Sequence, residues 1–153
     1  MKYLIVSDSH RNDEILSSLY KEYPDCDVYI HAGDSCSDMY SIYPFDSVLG
    51  NCDFYSFPER KHLTSEVGNI LIKHHPGLSS KEKENTRIFI HGHTHCYKVK
   101  EEDGILIINP GSVTHPRDGS NGSFAILRIE NGCIYVDVID VFSKNILIHY
   151  QIM

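Results

Sequence analysis

Five times between Tyr3 and His95, two to four apolar residues run straight into a small cluster of Asp, His or Asn, and this repeated junction constrains the fold more than any other feature. Tyr3 to Val6 ends in Ser7-Asp8-Ser9-His10, Val28-Tyr29-Ile30 in His31-Ala32-Gly33-Asp34, and Ser47-Val48-Leu49 in Gly50-Asn51-Cys52-Asp53. Asn69 to Ile72 delivers Lys73-His74-His75-Pro76-Gly77, and Arg87 to Ile90 delivers His91-Gly92-His93-Thr94-His95. Short continuous apolar runs of this kind read as strands buried on both faces, the pattern of parallel sheets. From Asn12, a cap, apolar residues recur at Ile15, Leu16, Leu19, Tyr20 and Tyr23 before Pro24, which predicts an amphipathic helix between the first two strands. In open α/β sheets ligands bind beyond the carboxyl ends of the strands, so the five clusters are expected to converge.

The other segments complete an architecture. Ser37 to Tyr43 reads as short helical or irregular chain, His62 to Val67 as a further strand, and Ser79 to Asn85 as a brief helix. After Cys96 the pattern changes to antiparallel hairpins. Tyr97 to Lys100 and Ile105 to Ile108 flank Glu102-Asp103-Gly104, and Phe124 to Ile129 and Cys133 to Val141 flank Glu130-Asn131-Gly132, where Asn-Gly supplies positive φ angles. Ile146 to Ile152 forms a last strand. Parallel units first and hairpins later predict an α/β fold of two mixed sheets packed face to face, with helices outside. With 153 residues and no linker-like tract, the chain is expected to be one domain over 1–153.

A net charge of −7 argues against a broad nucleic-acid surface, so a nuclease reading is disfavoured and a small substrate is expected. No apolar segment approaches a membrane span, and the acidic start Met1 to Asp8 does not resemble a signal peptide, which points to the cytoplasm. Cys26, Cys36, Cys52, Cys96 and Cys133 are odd in number and lack Cys-x-x-Cys spacing, so neither a disulfide framework nor a thiolate zinc knot is indicated and most are expected to be reduced and semi-buried. The edges of the second sheet leave self-association open.

Taken singly, Asp8 or Asn51 could cap a turn and His74 could bind a carbonyl. Taken together, carboxylate, imidazole and amide oxygens at successive strand ends are a ligand set for hard and borderline divalent metals. Ten histidines, six of them between His62 and His95, reinforce that reading.

Asp8-Ser9-His10, Gly33-Asp34, Gly50-Asn51, His74 and Gly92-His93-Thr94-His95, in this order, resemble the calcineurin-like metallophosphoesterases over nearly the whole chain. Asn109-Pro110-Gly111-Ser112 with Pro116-Arg117 resembles their small bacterial and archaeal phosphodiesterase subgroup. The resemblance implies a four-layer αββα sandwich and a dinuclear centre, with manganese expected first and iron, nickel or zinc as alternatives. It implies that Asp8, His10 and His95 hold one metal, that Asn51, His74 and His93 hold the other, and that Asp34 bridges them. Two metals leave a formal +2 over the charges of Asp8 and Asp34, which favours a bridging hydroxide as nucleophile and attracts phosphate. The implied activity is metal-dependent hydrolysis of a small phosphodiester. A phosphomonoesterase, a nuclease and a non-catalytic scaffold of the same fold are the alternatives.

Two positions depart from the wider family. Cys52 stands where many members carry a histidine that assists the transition state or leaving group, and a thiol in that role favours acidic leaving groups. Lys73-His74-His75 offers adjacent imidazoles on opposite faces of a strand, and the apolar run before them favours His74 as the ligand. His31 reads either as support for Asp34 or as a packed strand histidine.

Overall fold

Every apolar run except Val48-Leu49 lies in a strand in the computed structural model, which describes residues 1–153. In chain order the strands are β1 (Lys2–Val6), β2 (Val28–His31), β3 (Asp46–Ser47), β4 (Arg60–Ser65), β5 (Gly68–Lys73), β6 (Ile88–Ile90), β7 (Lys98–Glu102), β8 (Ile105–Asn109), β9 (Ser123–Glu130), β10 (Cys133–Asp140) and β11 (Ile146–Ile152). The helices are α1 (Asp13–Glu22) and α2 (Ser80–Asn85). One sheet has six strands in the order β11-β10-β9-β1-β2-β3, and the other has five in the order β4-β5-β6-β8-β7. Strands β1, β2 and β3 are mutually parallel, as are β5, β6 and β8, while the hairpin strands run antiparallel.

Alternation along each strand separates the core into layers. Tyr3 and Ile5 of β1 face Ile70, Ile72, Ile88, Ile90, Leu106 and Ile108 of the second sheet in the main inter-sheet cluster. Leu4 and Val6 face the other way, onto Leu16 and Leu19 of α1. Asn12 caps that helix by accepting from the Ile15 N–H, and each of the two buried leucines contributes about 2 kcal/mol through burial. On the far face of the second sheet lie Leu71, Phe89 and Ile105. Helix α2 buries none of its side chains and is held instead by Glu82, which closes a capping box with Ser79 and takes Lys73 and Arg60 at 3.0 Å each. The four layers are therefore present with a thin outer coat, one helix to a side.

Some boundaries differ from the sequence reading. Strand β3 is two residues long and precedes Val48, because it has a single partner, β2, and sits at the sheet edge. Val67 falls in the two-residue turn of the β4–β5 hairpin, where Ser65 pairs Gly68. Of the two forms expected over 37–43, the structure takes the irregular one. No helix is long and apolar enough to cross a membrane.

Candidate metal centre

The parallel strands β1, β2, β3, β5 and β6 all point their carboxyl ends at one rim, and the sequence clusters meet there. Asp8 and His10 follow β1, Asp34 follows β2, Asn51 follows β3, His74 follows β5, and His93 and His95 follow β6. Asp8, His10, Asp34, His93 and His95 all adopt positive φ, between 45° and 72°. For residues with a Cβ this conformation costs of order 1 kcal/mol or more each, and its concentration here marks backbone held by its surroundings.

The donor atoms fall into two adjoining groups. His10, His95 and Asp8 place ligand atoms within 4.8 Å of one another, and so do Asp8, Asp34 and His74. His95 Nε2 is 3.3 Å from Asp8 Oδ1, and His74 Nε2 is 3.2 Å from Asp34 Oδ2. His93 Nδ1 is 3.1 Å from Asn51 Oδ1, and its ring centroid is 5.3 Å from that of His74. His74 is buried and His75 exposed, with the His75 ring 4.4 Å from that of His93. His91 turns to the opposite face of β6, beside Phe89, and takes no part.

Residues farther out fix these side chains. His74 Nδ1–H donates to the Ala32 carbonyl at 2.8 Å and His95 Nδ1–H to the His115 carbonyl at 2.6 Å, a tautomer assigned from those acceptors. Each Nε2 is thereby left with a free lone pair, as in metal-ligating histidines. Asp8 Oδ2 accepts from Ser7 Oγ and the His93 N–H, while its carbonyl takes the Ser112 and Thr114 hydroxyls. Asp8 Oδ1, His10 Nε2 and His74 Nε2 are buried with no hydrogen-bond partner. Three orphaned donor atoms aimed into one carboxylate–imidazole cluster are what a divalent cation would satisfy. The residues present therefore fit the metals that the resemblance implies.

Electrostatics follow from the same contacts. Burial works against ionised Asp34, but His74 and the Cys52 N–H outweigh it and hold the carboxyl well below its usual range. Burial likewise opposes a charged His74, and Asp34 reverses this and raises its pKa. Burial lowers that of His10.

His31 is resolved by its partners. Its Nδ1 accepts the Gly33 N–H at 3.0 Å and its Nε2–H donates to Ser9 Oγ at 2.8 Å, so one buried ring ties the Asp34 loop to the Asp8–His10 loop. Burial pushes its pKa down to about 3. A histidine whose folded pKa lies below its unfolded value contributes stability above about pH 6.5 that is lost as pH falls towards 3. The metal-free protein is expected to lose on the order of a few kcal/mol over that window, with His31→Gln flattening the slope. Thermal melts from pH 7 to pH 4 test this, and equal slopes for both proteins would sink it.

Sequence reasoning missed Asp53, whose carboxylate accepts the N–H groups of Asp34, Cys36 and Gly50 at 3.0, 2.8 and 2.7 Å. The only signal was its place at the end of the third cluster. Three of the five cysteines, Cys26, Cys96 and Cys133, are free as expected of most, whereas Cys36 and Cys52 form a disulfide that the sequence reading did not foresee. Strands β2 and β3 pair in parallel with an offset of 16, Ile30 to Asp46, and the same offset sets Cys36 beside Cys52, so the spacing has meaning only once that register is known. Cys52 accordingly has no thiol to act as an acid in place of the family histidine. The open cleft over the centre has a volume of about 350 Å³ and is lined by His10, Asp34, Asn51, Cys52, His93, His95 and Arg117.

Residues 1–132 match the calcineurin-like phosphoesterase superfamily domain. The chain is 33% identical over 160 residues to the probable metallophosphoesterase YsnB of Bacillus subtilis (strain 168), covering 95% of each. Among solved structures it resembles a predicted phosphoesterase from Streptococcus pneumoniae TIGR4, with a TM-score of 0.84 at 25% identity over 99% of this chain and 96% of that one. It also shares its fold with Vps29 from Entamoeba histolytica, with a TM-score of 0.76 at 20% identity over 99% and 98%.

Proposed function

Because the chain belongs to the calcineurin-like phosphoesterase superfamily, we propose that it is a divalent-metal-dependent phosphoesterase acting on a small phosphodiester. The observation that carries this reading is the convergence of Asp8 Oδ1, His10 Nε2 and His74 Nε2, buried and unpartnered, beneath the cleft. Asp8, His10 and His95 would hold one ion, Asn51, His74 and His93 the other, with Asp34 shared. When bound, two such ions, manganese first and iron, nickel or zinc after it, supply Lewis-acid polarisation of the phosphoryl oxygens and acidify water.

The chain's own groups do the rest. Asp34, kept ionised by His74 and the Cys52 N–H, contributes the charge that two cations held close together require. The Arg117 guanidinium makes no ion pair and faces the cleft, which suits it to a non-bridging phosphoryl oxygen. Asn51 is exposed at the cleft wall, which suits its amide to a phosphate in the cleft as well as to a metal. With Cys52 held in a disulfide, no proton donor stands at that position, so esters of acidic alcohols are favoured over those of poor leaving groups.

A reconstitution assay tests the proposal. The chelated protein is expected to regain hydrolysis of bis(4-nitrophenyl) phosphate with Mn²⁺, more weakly with Ni²⁺, Zn²⁺ or Mg²⁺, and to prefer it over 4-nitrophenyl phosphate. A faster monoester reaction would reassign the ester class. Two bound ions with neither ester hydrolysed would favour a scaffold.

A further inference from the structure

The Cys36–Cys52 bridge lies against the metal centre instead of in the core. The two Sγ atoms are 3.7 and 3.9 Å from His10 Nδ1, and both cysteines are half-buried. The Cys36, Cys52 and His10 donor atoms all lie within 4.8 Å of one another. We propose that Cys36, Cys52 and His10 Nδ1 form a second kind of metal site, specific for a thiophilic cation such as Zn²⁺ or Cd²⁺, that is available when the cysteines are thiols and closed when they are a disulfide.

The loops are positioned for this without the covalent bond. Asp53 holds the Cys36 N–H at 2.8 Å, and Asp34 holds the Cys52 N–H at 2.9 Å. The Cα atoms, 5.5 Å apart, therefore keep their places when the bridge opens. Two thiolates on one tetrahedral zinc stand about 3.8 Å apart, given zinc–sulfur bonds of about 2.3 Å, so a rotation of the side chains creates the pocket. Two sulfurs and one imidazole nitrogen leave the fourth position to solvent from the open cleft. Softness separates this trio from its neighbours, because thiolates select Zn²⁺, Cd²⁺ or Cu⁺ whereas the carboxylate–imidazole–amide cluster accepts harder ions.

The chemistry balances with a dithiol as the reductant. Two electrons and two protons pass from the dithiol to the bridge, which becomes two thiols, and the dithiol leaves as its own disulfide. On capture of the cation both thiol protons go to solvent, and a neutral His10 that coordinates through Nδ1 carries its ring proton on Nε2, a transfer wherever that proton started on Nδ1. A proton on Nε2 withdraws His10 from the principal centre, so thiophilic cations and Mn²⁺ compete through one imidazole. This competition, unlike the site itself, rests on the assignment of His10 under the proposed function.

Cadmium titration of the full-length, metal-free protein tests the site. The untreated chain is expected to show three titratable thiols, and the chain reduced by a phosphine and then desalted five. The reduced chain is expected to develop the ultraviolet cadmium–thiolate band, saturating at one equivalent, and the untreated chain none. Cys36→Ser and Cys52→Ser should each remove the band and weaken binding by about a hundredfold, while a Cys26/Cys96/Cys133 triple serine variant keeps both. No band after reduction, or an unchanged band in Cys36→Ser, overturns the site, and five thiols before reduction overturn its closure. Manganese uptake read by electron paramagnetic resonance should fall in the cadmium-loaded reduced chain. A cadmium band with no manganese uptake in any sample would instead refute the principal centre and leave the thiol site standing.

Discussion

Asp34→Asn is expected to reduce bound metal from two ions to one or none and to lower phosphodiester hydrolysis about a thousandfold, ~4 kcal/mol of transition-state stabilisation. The expectation comes from position. Asp34 Oδ2 is 3.2 Å from His74 Nε2 and Oδ1 accepts the Cys52 N–H, so the carboxylate stands between His74 and the loop that carries Asn51, with its donor atom within 4.8 Å of those of Asp8 and His74. Its pKa is held well below the usual carboxylate range, which keeps it charged at neutral pH. An amide of the same shape preserves the packing but removes the negative charge, leaving two cations to repel each other. Inductively coupled plasma measurement of metal content, with the diester assay, checks both halves. Full metal content with full activity would refute the shared-carboxylate assignment.

Gly92→Ala should also be damaging, although Gly92 offers a metal no side chain. A Cβ at that position would overlap Ser7 Oγ and come within 2.8 Å of Asp8 Oδ2. Neither neighbour can withdraw, since Ser7 is fully buried and Asp8 is fixed by the His93 N–H and by hydroxyls on its carbonyl. A displacement of about 1 Å in a catalytic group costs on the order of a hundredfold in rate. The variant is expected to fold, to lose about that much activity, and to bind Mn²⁺ at least tenfold more weakly by calorimetry. Wild-type manganese affinity in Gly92→Ala would show that the Asp8 side tolerates the shift.

The strands were legible because an apolar run buried on both faces has few alternatives, and Asn12, Ser79 and Asn131-Gly132 punctuate the chain at the capped helices and the turn. Strand ends were legible too, and among the residues there the resemblance to the calcineurin-like metallophosphoesterases singled out Asp8, His10, Asp34, Asn51, His74, His93 and His95. Strand alternation put His74 and His75 on opposite faces and the apolar run Ile70 to Ile72 favoured His74, and the structure buries the first and exposes the second. Less visible was anything that depends on which strand lies beside which. Asp53 looks like an ordinary loop carboxylate until three N–H groups converge on it. His31 had two equal readings until Gly33 and Ser9 appeared on its two nitrogens.

Residue order alone determined the layers, the direction of the strands and the side of the sheets on which the polar clusters emerge, because those properties follow from periodicity and from short-range turn chemistry. Only the tertiary structure decided the Cys36–Cys52 pairing, the left-handed backbone at five candidate ligands and the committed Nδ1 protons of His74 and His95. Each of these depends on strand register or on an acceptor from a distant segment. A count of cysteines or a His-x-His spacing carries no information about either.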